Sequence, residues 1–142
     1  MFSKEEAKKL RQDFWISFGK SFPRKWILYN TGIKDCSFKF HFDLKSAMVS
    51  MDIESQDLEK RLGVWEKLIS LRPILLEEYL PKALFEDTVI LKNGKEISRV
   101  SVSLENVSIH NKNTWQQTMV FLKENMAVFE DFFKEYEDII RP

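Results

Sequence analysis

Three carboxylates beside a predicted hairpin are the residues of this chain best suited to metal chemistry. Asp43 ends one predicted strand, and Asp52 and Glu54 end the next. Carboxylate oxygens are the ligands that Mg²⁺ prefers, and metal-dependent nucleases combine such carboxylates with a lysine at the end of a hairpin. Ser55 and Gln56 stand where that lysine would follow.

Alternation in the segment 48–54 gives a simpler interpretation of the two later carboxylates. Met51 and Ile53 share one face of the predicted strand, whereas Asp52 and Glu54 share the other. A strand with one buried and one solvated face has this pattern. We therefore favour a non-catalytic interpretation, in which Asp52 and Glu54 lie on a solvated strand face. The alternative is a divalent-metal-dependent nuclease with Asp43, Asp52 and Glu54 as its catalytic cluster.

The cysteine, the histidines and the glycines form no other pattern of a catalytic or cofactor site. Cys36, His41 and His110 lack the paired spacing of zinc ligands. The four glycines are scattered along the chain, whereas a phosphate-binding loop needs them clustered. We therefore predict no metal and no cofactor, and the residues favour a binding protein over an enzyme.

A basic stretch near the amino terminus is the first candidate binding surface. Residues 1–45 carry ten Lys and Arg against five Asp and Glu, and residues 121–142 carry three against six. Arg24, Lys25 and Trp26 could supply phosphate and stacking contacts to a nucleic acid. Packing of the first helix region against the acidic last helix explains the same asymmetry, and we favour it.

A polar segment before the last helix is the second candidate binding surface. Arg99 lies in the strand that leads to this segment, which includes His110 and Asn111 and is followed by Trp115. Such side chains at a strand-to-helix junction are typical of binding loops. They are equally typical of helix capping, and Asn113 or Thr114 is the predicted cap of the last helix.

Hydrophobic periodicity predicts a helix, a short strand and a hairpin in the first 54 residues. Ser3 and Glu6 have the spacing of a capping box, which starts the first helix. The run 26–29 is prone to form a short strand. The segments 38–42 and 48–54 alternate in the manner of strands and are joined by a link short enough for a hairpin.

A second helix and a second hairpin are predicted next. Pro73 lies within the helical pattern, so the helix kinks or restarts there. The strands 87–91 and 96–104 flank Asn93-Gly94, a dipeptide favoured in type I′ turns. The apolar face of the second helix is predicted to contain Leu58, Leu62, Trp65, Ile69 and Leu76.

The last helix carries two adjacent apolar stripes instead of one. At about 100° per residue these stripes cover nearly half of the helix circumference, more than a helix lying on a sheet with its back in water requires. We expect the helix 119–140 to lie between the sheet and another helix, or to form a homodimer interface. Its apolar residues are Met119, Phe121, Leu122, Met126, Val128, Phe129, Phe132, Phe133, Tyr136, Ile139 and Ile140.

Together these elements predict an α+β fold in one domain, residues 1–142. The order is α-β-β-β-α-β-β-α, with an antiparallel sheet of four to five strands, built from two hairpins and packed with three main helices. The 142 residues carry a net charge of zero, which excludes a binder of nucleic acid held by a uniformly basic surface. The charged amino terminus and the absence of long apolar runs predict a cytoplasmic protein with no membrane partner.

The sequence resembles the bacterial family named domain of unknown function 4268, in its short stand-alone form. The residues that carry the resemblance are the run LEKRLGVWEKLISL from Leu58, the Arg99-Val100 strand, Asn113-Thr114-Trp115, the aromatic final helix, the Phe14-Trp15 helix and the 26–29 segment. Arg99 and Trp115 match the family pattern, but the resemblance brings no catalytic residues with it.

The resemblance also has an implication for function. Longer members of the family carry this kind of domain behind a nuclease-like domain of the restriction-endonuclease type, which points towards nucleic-acid processing or defence. We expect no such leading domain here. The combined prediction is a non-enzymatic interaction module that binds a protein partner, a second copy of itself or nucleic acid, with Arg24, Lys25, Trp26, Arg99, His110, Asn111 and Trp115 as candidate binding residues.

Overall fold

The first helix begins where its capping residues predict. The computed structural model describes residues 2–142, and helix α1 spans Lys4–Ser21. The Ser3 side chain accepts a hydrogen bond from the Glu6 backbone N–H, and the Glu6 carboxylate accepts one from the Ser3 N–H, which completes the capping box. Leu10, Phe14 and Phe18 form the buried face of this helix.

Two hairpins form one antiparallel sheet of four strands. The strands are β1 (Cys36–Phe42), β2 (Ser46–Ile53), β3 (Leu84–Ile90) and β4 (Glu96–Glu105), in the order β1-β2-β4-β3. The central strands β2 and β4 therefore come from different hairpins. Phe38, Met51, Val100 and Phe85 form one row across all four strands and point into the core. The predicted α+β fold with an antiparallel sheet is confirmed.

Proline restarts the second helical segment. Helix α2 (Leu58–Ser70) is followed by the one-turn helix α3 (Arg72–Ile74) and by a π-helical turn, Leu75–Tyr79. Pro73 lies in the first turn of α3, where its missing N–H costs no hydrogen bond. The second of the two predicted outcomes at this residue, a restart, is the one observed.

Helix α4 (Trp115–Ile140) lies against the sheet with other parts of the chain on its flanks. It contacts β2 and β4 beneath it, and α2 and the π-helical turn beside it. Phe129 and Phe133 pack edge-on against Phe38 of the sheet, and Phe132 packs against Tyr79 of the π-helical turn. The wide apolar arc of α4 is thus explained by contacts within one chain, in agreement with the expectation that this helix lies between the sheet and another helix.

The segment 26–29 does not form the predicted strand. The backbone of Leu28 has a φ of 45°, which interrupts an extended conformation, and Asn30 N–H closes a turn onto the Ile27 carbonyl. Only one hydrogen bond, from Phe38 N–H to the Leu28 carbonyl, connects the segment to β1. The apolar run is β-prone, but contacts with α4 and the turn at Leu28 determine its conformation.

One local prediction about a turn is also wrong, and one about a cap is correct only in position, since Thr114 is the N-cap residue of α4. Gly94 has a φ of 84°, but Asn93 does not have the positive φ of a type I′ turn, and Gly94 instead ends a three-residue loop after Leu91. The side chain of Thr114 makes no capping bond to α4. Asn111 caps a short 3₁₀ turn, Lys112–Thr114, that precedes the helix.

Helix α2 turns a different face to the core from the one that its apolar spacing predicts. Trp65 is buried as expected, but Leu58, Leu62 and Ile69 are exposed by 55%, 43% and 38%. The buried residues of α2 are Arg61, Val64, Trp65 and Leu68. No helix among residues 2–142 combines the length and apolarity needed to cross a membrane.

We predict that Phe132→Ala lowers the free energy of unfolding by about 3–5 kcal/mol, because Phe132 is only 1% exposed and fills the space between α4 and Tyr79. Phe121→Ala is the matched control, since Phe121 is only partly buried and its loss should cost less. Denaturant unfolding with light scattering measures both. A folded, fully stable Phe132→Ala variant with an altered oligomeric state would show that Phe132 belongs to an interface between copies.

Candidate functional site

One face of the sheet carries no helix among the described residues, and we call it the helix-free face. Because α1, α2 and α4 pack on the side of Phe38, Met51 and Val100, the alternate residues of each strand point to the other side. The polar residues of the helix-free face are Ser37, Lys39, His41, Ser50, Asp52, Glu86, Arg99, Ser101, Ser103 and Glu105, with Glu54 just past the end of β2. Met48, Leu84 and Ile97 are its apolar residues.

A two-point ion pair joins the central strands on this face. Arg99 Nε donates to Asp52 Oδ1 at 2.8 Å, and Arg99 Nη2 donates to Asp52 Oδ2 at 3.0 Å. The Asp52 side chain is 0% exposed and the Arg99 side chain 12%, so the solvated position that the alternation favoured for Asp52 is wrong. The hydrogen bond to Asp52 raises the pKa of Arg99 above its ordinary value, so the guanidinium stays charged. Asp52 and Arg99 are direct partners in the β2–β4 register, which fixes their geometry.

Lys39 extends the ion pair into a network. Its Nζ lies 3.2 Å from a Glu54 carboxylate oxygen and 3.6 Å from Asp52 Oδ2. Asp52 therefore faces two cations, and Lys39 in turn faces two carboxylates. Charged groups held this closely by several partners lose mobility, so the network gives the helix-free face a rigid polar centre.

His41 adds a neutral polar group beside the network. Its Nε2 lies 2.9 Å from Ser50 Oγ. Burial of the ring lowers the pKa of His41 below its ordinary value, and the nearby charges of Arg99 and Lys39 act in the same direction against the opposing influence of Asp52 and Asp43. The imidazole is therefore neutral at neutral pH, where it can either donate or accept a hydrogen bond.

The carboxylate cluster predicted for a nuclease is not formed. In the antiparallel hairpin Phe42 pairs with Ala47 at the turn, whereas Ser37 pairs with Asp52 at the other end. Asp43 thus lies about 20 Å of strand away from Asp52, and it accepts hydrogen bonds from the backbone of the turn. Within residues 2–142, no three His, Cys, Asp or Glu residues are arranged to hold a metal ion.

The single thiol is not available as a nucleophile. Cys36 is buried at the start of β1, and burial raises its pKa to about 12 despite the lowering effect of its contact with Thr31. Since the thiolate is the reactive form, a thiol with this pKa remains protonated and inert at neutral pH.

The first set of predicted binding residues holds the amino-terminal region against α4. Arg24 Nη2 donates to the Glu130 carboxylate at 2.8 Å, and the guanidinium lies 4.4 Å from the centre of the Trp26 ring. The same carboxylate accepts the Ile27 N–H at 2.6 Å. Lys25 alone of this set remains exposed without a close partner among the described residues. These contacts support packing of the basic region against α4 as the interpretation of the charge asymmetry.

The second set of predicted binding residues is split between two places. Arg99 lies on the helix-free face, six residues before the end of β4, whereas His110, Asn111 and Trp115 surround the start of α4. Trp115 Nε1 donates to the Ile109 carbonyl at 2.9 Å, and Asn111 caps the 3₁₀ turn. The polar groups of this junction are used to fold it.

Sequence reasoning marked Asp52 and Arg99 but missed that they form one site. They are 47 residues apart in different hairpins, and no local pattern specifies the β2–β4 register. The alternation of residues 38–42 places Lys39 and His41 on the face opposite the phenylalanines, but it does not assign them to a site with Asp52 and Arg99. The signal that could have found them is the outward alternation of polar residues on two strands that become neighbours.

Comparison with known proteins gives one family. A family model described as a domain of unknown function (DUF4268) matches residues 10–137. No curated protein and no solved structure matches the chain.

We predict that Arg99→Met destabilises the protein by about 3–5 kcal/mol, since Asp52 would lose its closest partner while staying buried. The double variant Asp52→Leu with Arg99→Met should lose less than the sum of the two single variants, because no buried charge is left uncompensated. A double-mutant cycle by denaturant unfolding measures this coupling. Additive losses would contradict the ion pair.

We predict that acid weakens the wild-type fold through His41. The folded-state pKa of His41 lies below the unfolded value of about 6.5, so the unfolded chain binds more protons and stability falls as the pH decreases through that value. This contribution is at most about 1.4 kcal/mol per pH unit. In His41→Gln, unfolding measured from about pH 7.5 to 5.5 should depend less on pH. An unchanged slope would contradict the lowered pKa.

Proposed function

Since the chain belongs to the DUF4268 family, whose description gives no activity, we propose a function from its geometry: a non-enzymatic interaction module that binds a protein partner through the helix-free face. The single observation that carries the proposal is the rigid polar network of Asp52, Arg99, Lys39 and Glu54 on the helix-free face. A pre-ordered surface loses little conformational entropy when a partner binds.

The chemistry of the network supports binding over catalysis. Asp52 is fully engaged by Arg99 and Lys39, and His41 is bonded to Ser50, so these groups stabilise one another. A catalytic carboxylate or imidazole needs to reach a proton or a reacting atom of the substrate. The mutual pairing instead fixes donors and acceptors in place, which suits recognition of a complementary surface.

The charge of the helix-free face supports a protein partner over a nucleic acid. The face carries Lys39 and Arg99 against the carboxylates of Asp52, Glu54, Glu86 and Glu105. A surface with an excess of carboxylates repels phosphates, and the chain as a whole has no net positive charge. Arg24, the strongest basic candidate elsewhere, is paired with Glu130.

The resemblance to longer family members adds a biological setting to this proposal. If the module acts in nucleic-acid processing or defence, the contact with nucleic acid is made by its protein partner. The module then contributes recognition, and the chemistry belongs to the partner.

Site-specific photo-crosslinking in the native host tests the proposal. A photoreactive residue at exposed Ser103 on the helix-free face should give a discrete protein adduct, and the matched control at exposed Asp131 on α4 should not. The adduct at Ser103 should weaken in Glu54→Lys, which reverses one partly buried charge of the network, and should resist nuclease treatment. No adduct, an adduct of equal strength at Asp131, or an adduct lost with nuclease would contradict the proposal.

A further inference from the structure

Helix α2 carries an apolar stripe that the fold leaves largely uncovered. We call Leu58, Leu62, Trp65 and Ile69 the α2 stripe; they follow one another at intervals of four, three and four residues, so they lie on one side of the helix. Trp65 is buried at its base, whereas Leu58, Leu62 and Ile69 are exposed by 55%, 43% and 38%. Contiguous exposed apolar residues of this size mark interaction sites more often than single ones do.

A groove runs between the α2 stripe and the outer strand β3. Its volume is about 580 Å³, and Trp65 and Phe85 contribute aromatic rings whose centres are 5.9 Å apart. The guanidinium of Arg72 lies 5.5 Å from the centre of the Phe85 ring. The groove lies on the helix-covered side of the sheet, so it is distinct from the helix-free face.

We propose that this groove binds an amphipathic helix of a partner protein that carries basic residues along the flank facing Glu59 and Glu66. The apolar side of the bound helix would cover the α2 stripe, as the ridge of one helix packs into the groove of another. The proposal stands on its own geometry and does not depend on the function proposed for the helix-free face.

The spacing of the stripe and the form of β3 favour a helix over an added strand. Intervals of three and four residues match the ridges of a second helix, whereas an extended chain places its side chains at intervals of two. The pairing of β3 with β4 shifts register between Glu86 and Val89, and Glu86 and Asp87 put two carboxylates at this interruption. A bulge and charges on an edge strand oppose the addition of another strand.

The charges around the groove specify the flanks of the partner helix. Glu59 and Glu66 are exposed on α2, about 100° and 80° around the helix from Leu58. Asp87 and Glu96 lie on the opposite side, but Arg61 and Arg72 also line the groove there, and Glu96 is 3.4 Å from Arg61. The acidic excess therefore occurs along the flank with Glu59 and Glu66, and a helix with lysine or arginine on the flank that faces it is complementary.

The same charges disfavour a second copy of this chain as the occupant. In an antiparallel pair of α2 helices, the flank with Glu59 and Glu66 of one copy would face the same flank of the other. Like charges at these positions select against self-pairing in packed helices.

Two designed peptides test the proposal. Each is a helix of about 18 residues, or ~27 Å, held helical by a side-chain staple because isolated helices of this length are marginal. Both carry leucines at intervals of three and four; one has lysine flanks and the other has glutamate flanks. Fluorescence anisotropy measures their binding, and nuclear magnetic resonance follows the indole N–H of Trp65, which donates to Asp87 at the groove.

The lysine-flanked peptide should bind saturably at least about tenfold more tightly than the glutamate-flanked peptide, and it should shift the Trp65 indole signal. Leu62→Glu should weaken binding at least about tenfold, by placing a charge on the apolar stripe. Glu59→Lys combined with Glu66→Lys should reverse the preference between the peptides. Ile16→Glu is the matched control, because Ile16 is an exposed apolar residue of α1 (56%) away from the groove, and it should bind as the wild type does.

Three results would overturn the proposal. The first is no saturable binding of the lysine-flanked peptide, or binding that Leu62→Glu leaves unchanged. The second is a concentration-dependent dimer of the wild type that Leu62→Glu abolishes, which would identify a second copy as the occupant. The third is peptide-induced protection confined to the amides of β3, which would identify strand addition.

Discussion

The pairing of Arg99 with Asp52 is the interaction on which the arrangement of the sheet depends. It links β2 to β4, the two central strands, and these strands belong to different hairpins. The helices of residues 2–142 pack on the other side, so the side chains of the helix-free face are mostly polar, although the buried Ile97 also belongs to it. The buried, two-point ion pair extended by Lys39 joins the central strands on this face through polar groups.

Local signals were sufficient to predict most of the elements of the fold. The capping box at Ser3, the alternation in both hairpins and the effect of Pro73 each act over a few residues, and each is confirmed. The prediction of a strand over residues 26–29 was wrong because the conformation of this segment depends on Glu130, which is more than 100 residues away. A contact at that distance leaves no mark on the local sequence pattern. The same limit kept Asp52 and Arg99 from being recognised as partners.

Helix α2 shows a second reason why the sequence pattern does not determine the packing. Its apolar spacing is correct for a helix, but periodicity reports which residues share a face and does not report which partner that face meets. Arg61 takes a buried place on the core side by donating to the carbonyls of Ser55 and Glu96, and Leu62 is left outside. A buried arginine with backbone acceptors thus replaced an apolar residue that the pattern assigns to the core. The α2 stripe, which we propose as an interaction surface, lies where the apolar pattern and the fold disagree.

The contact of Glu130 with Arg24 and Ile27 has a consequence for the order of folding. The two ends of the hydrogen bond from Ile27 are separated by 103 residues, and Phe14 of α1 likewise packs against Trp115. Closing such long loops is entropically costly and slows folding. During translation the segment with Ile27 leaves the ribosome about 100 residues before its partner on α4. Phe14 and Phe18 can pack early on Phe42 and Phe40 of β1, but the contact of Phe14 with Trp115 forms only after α4 is made, and the docking of α4 is the step that completes the core.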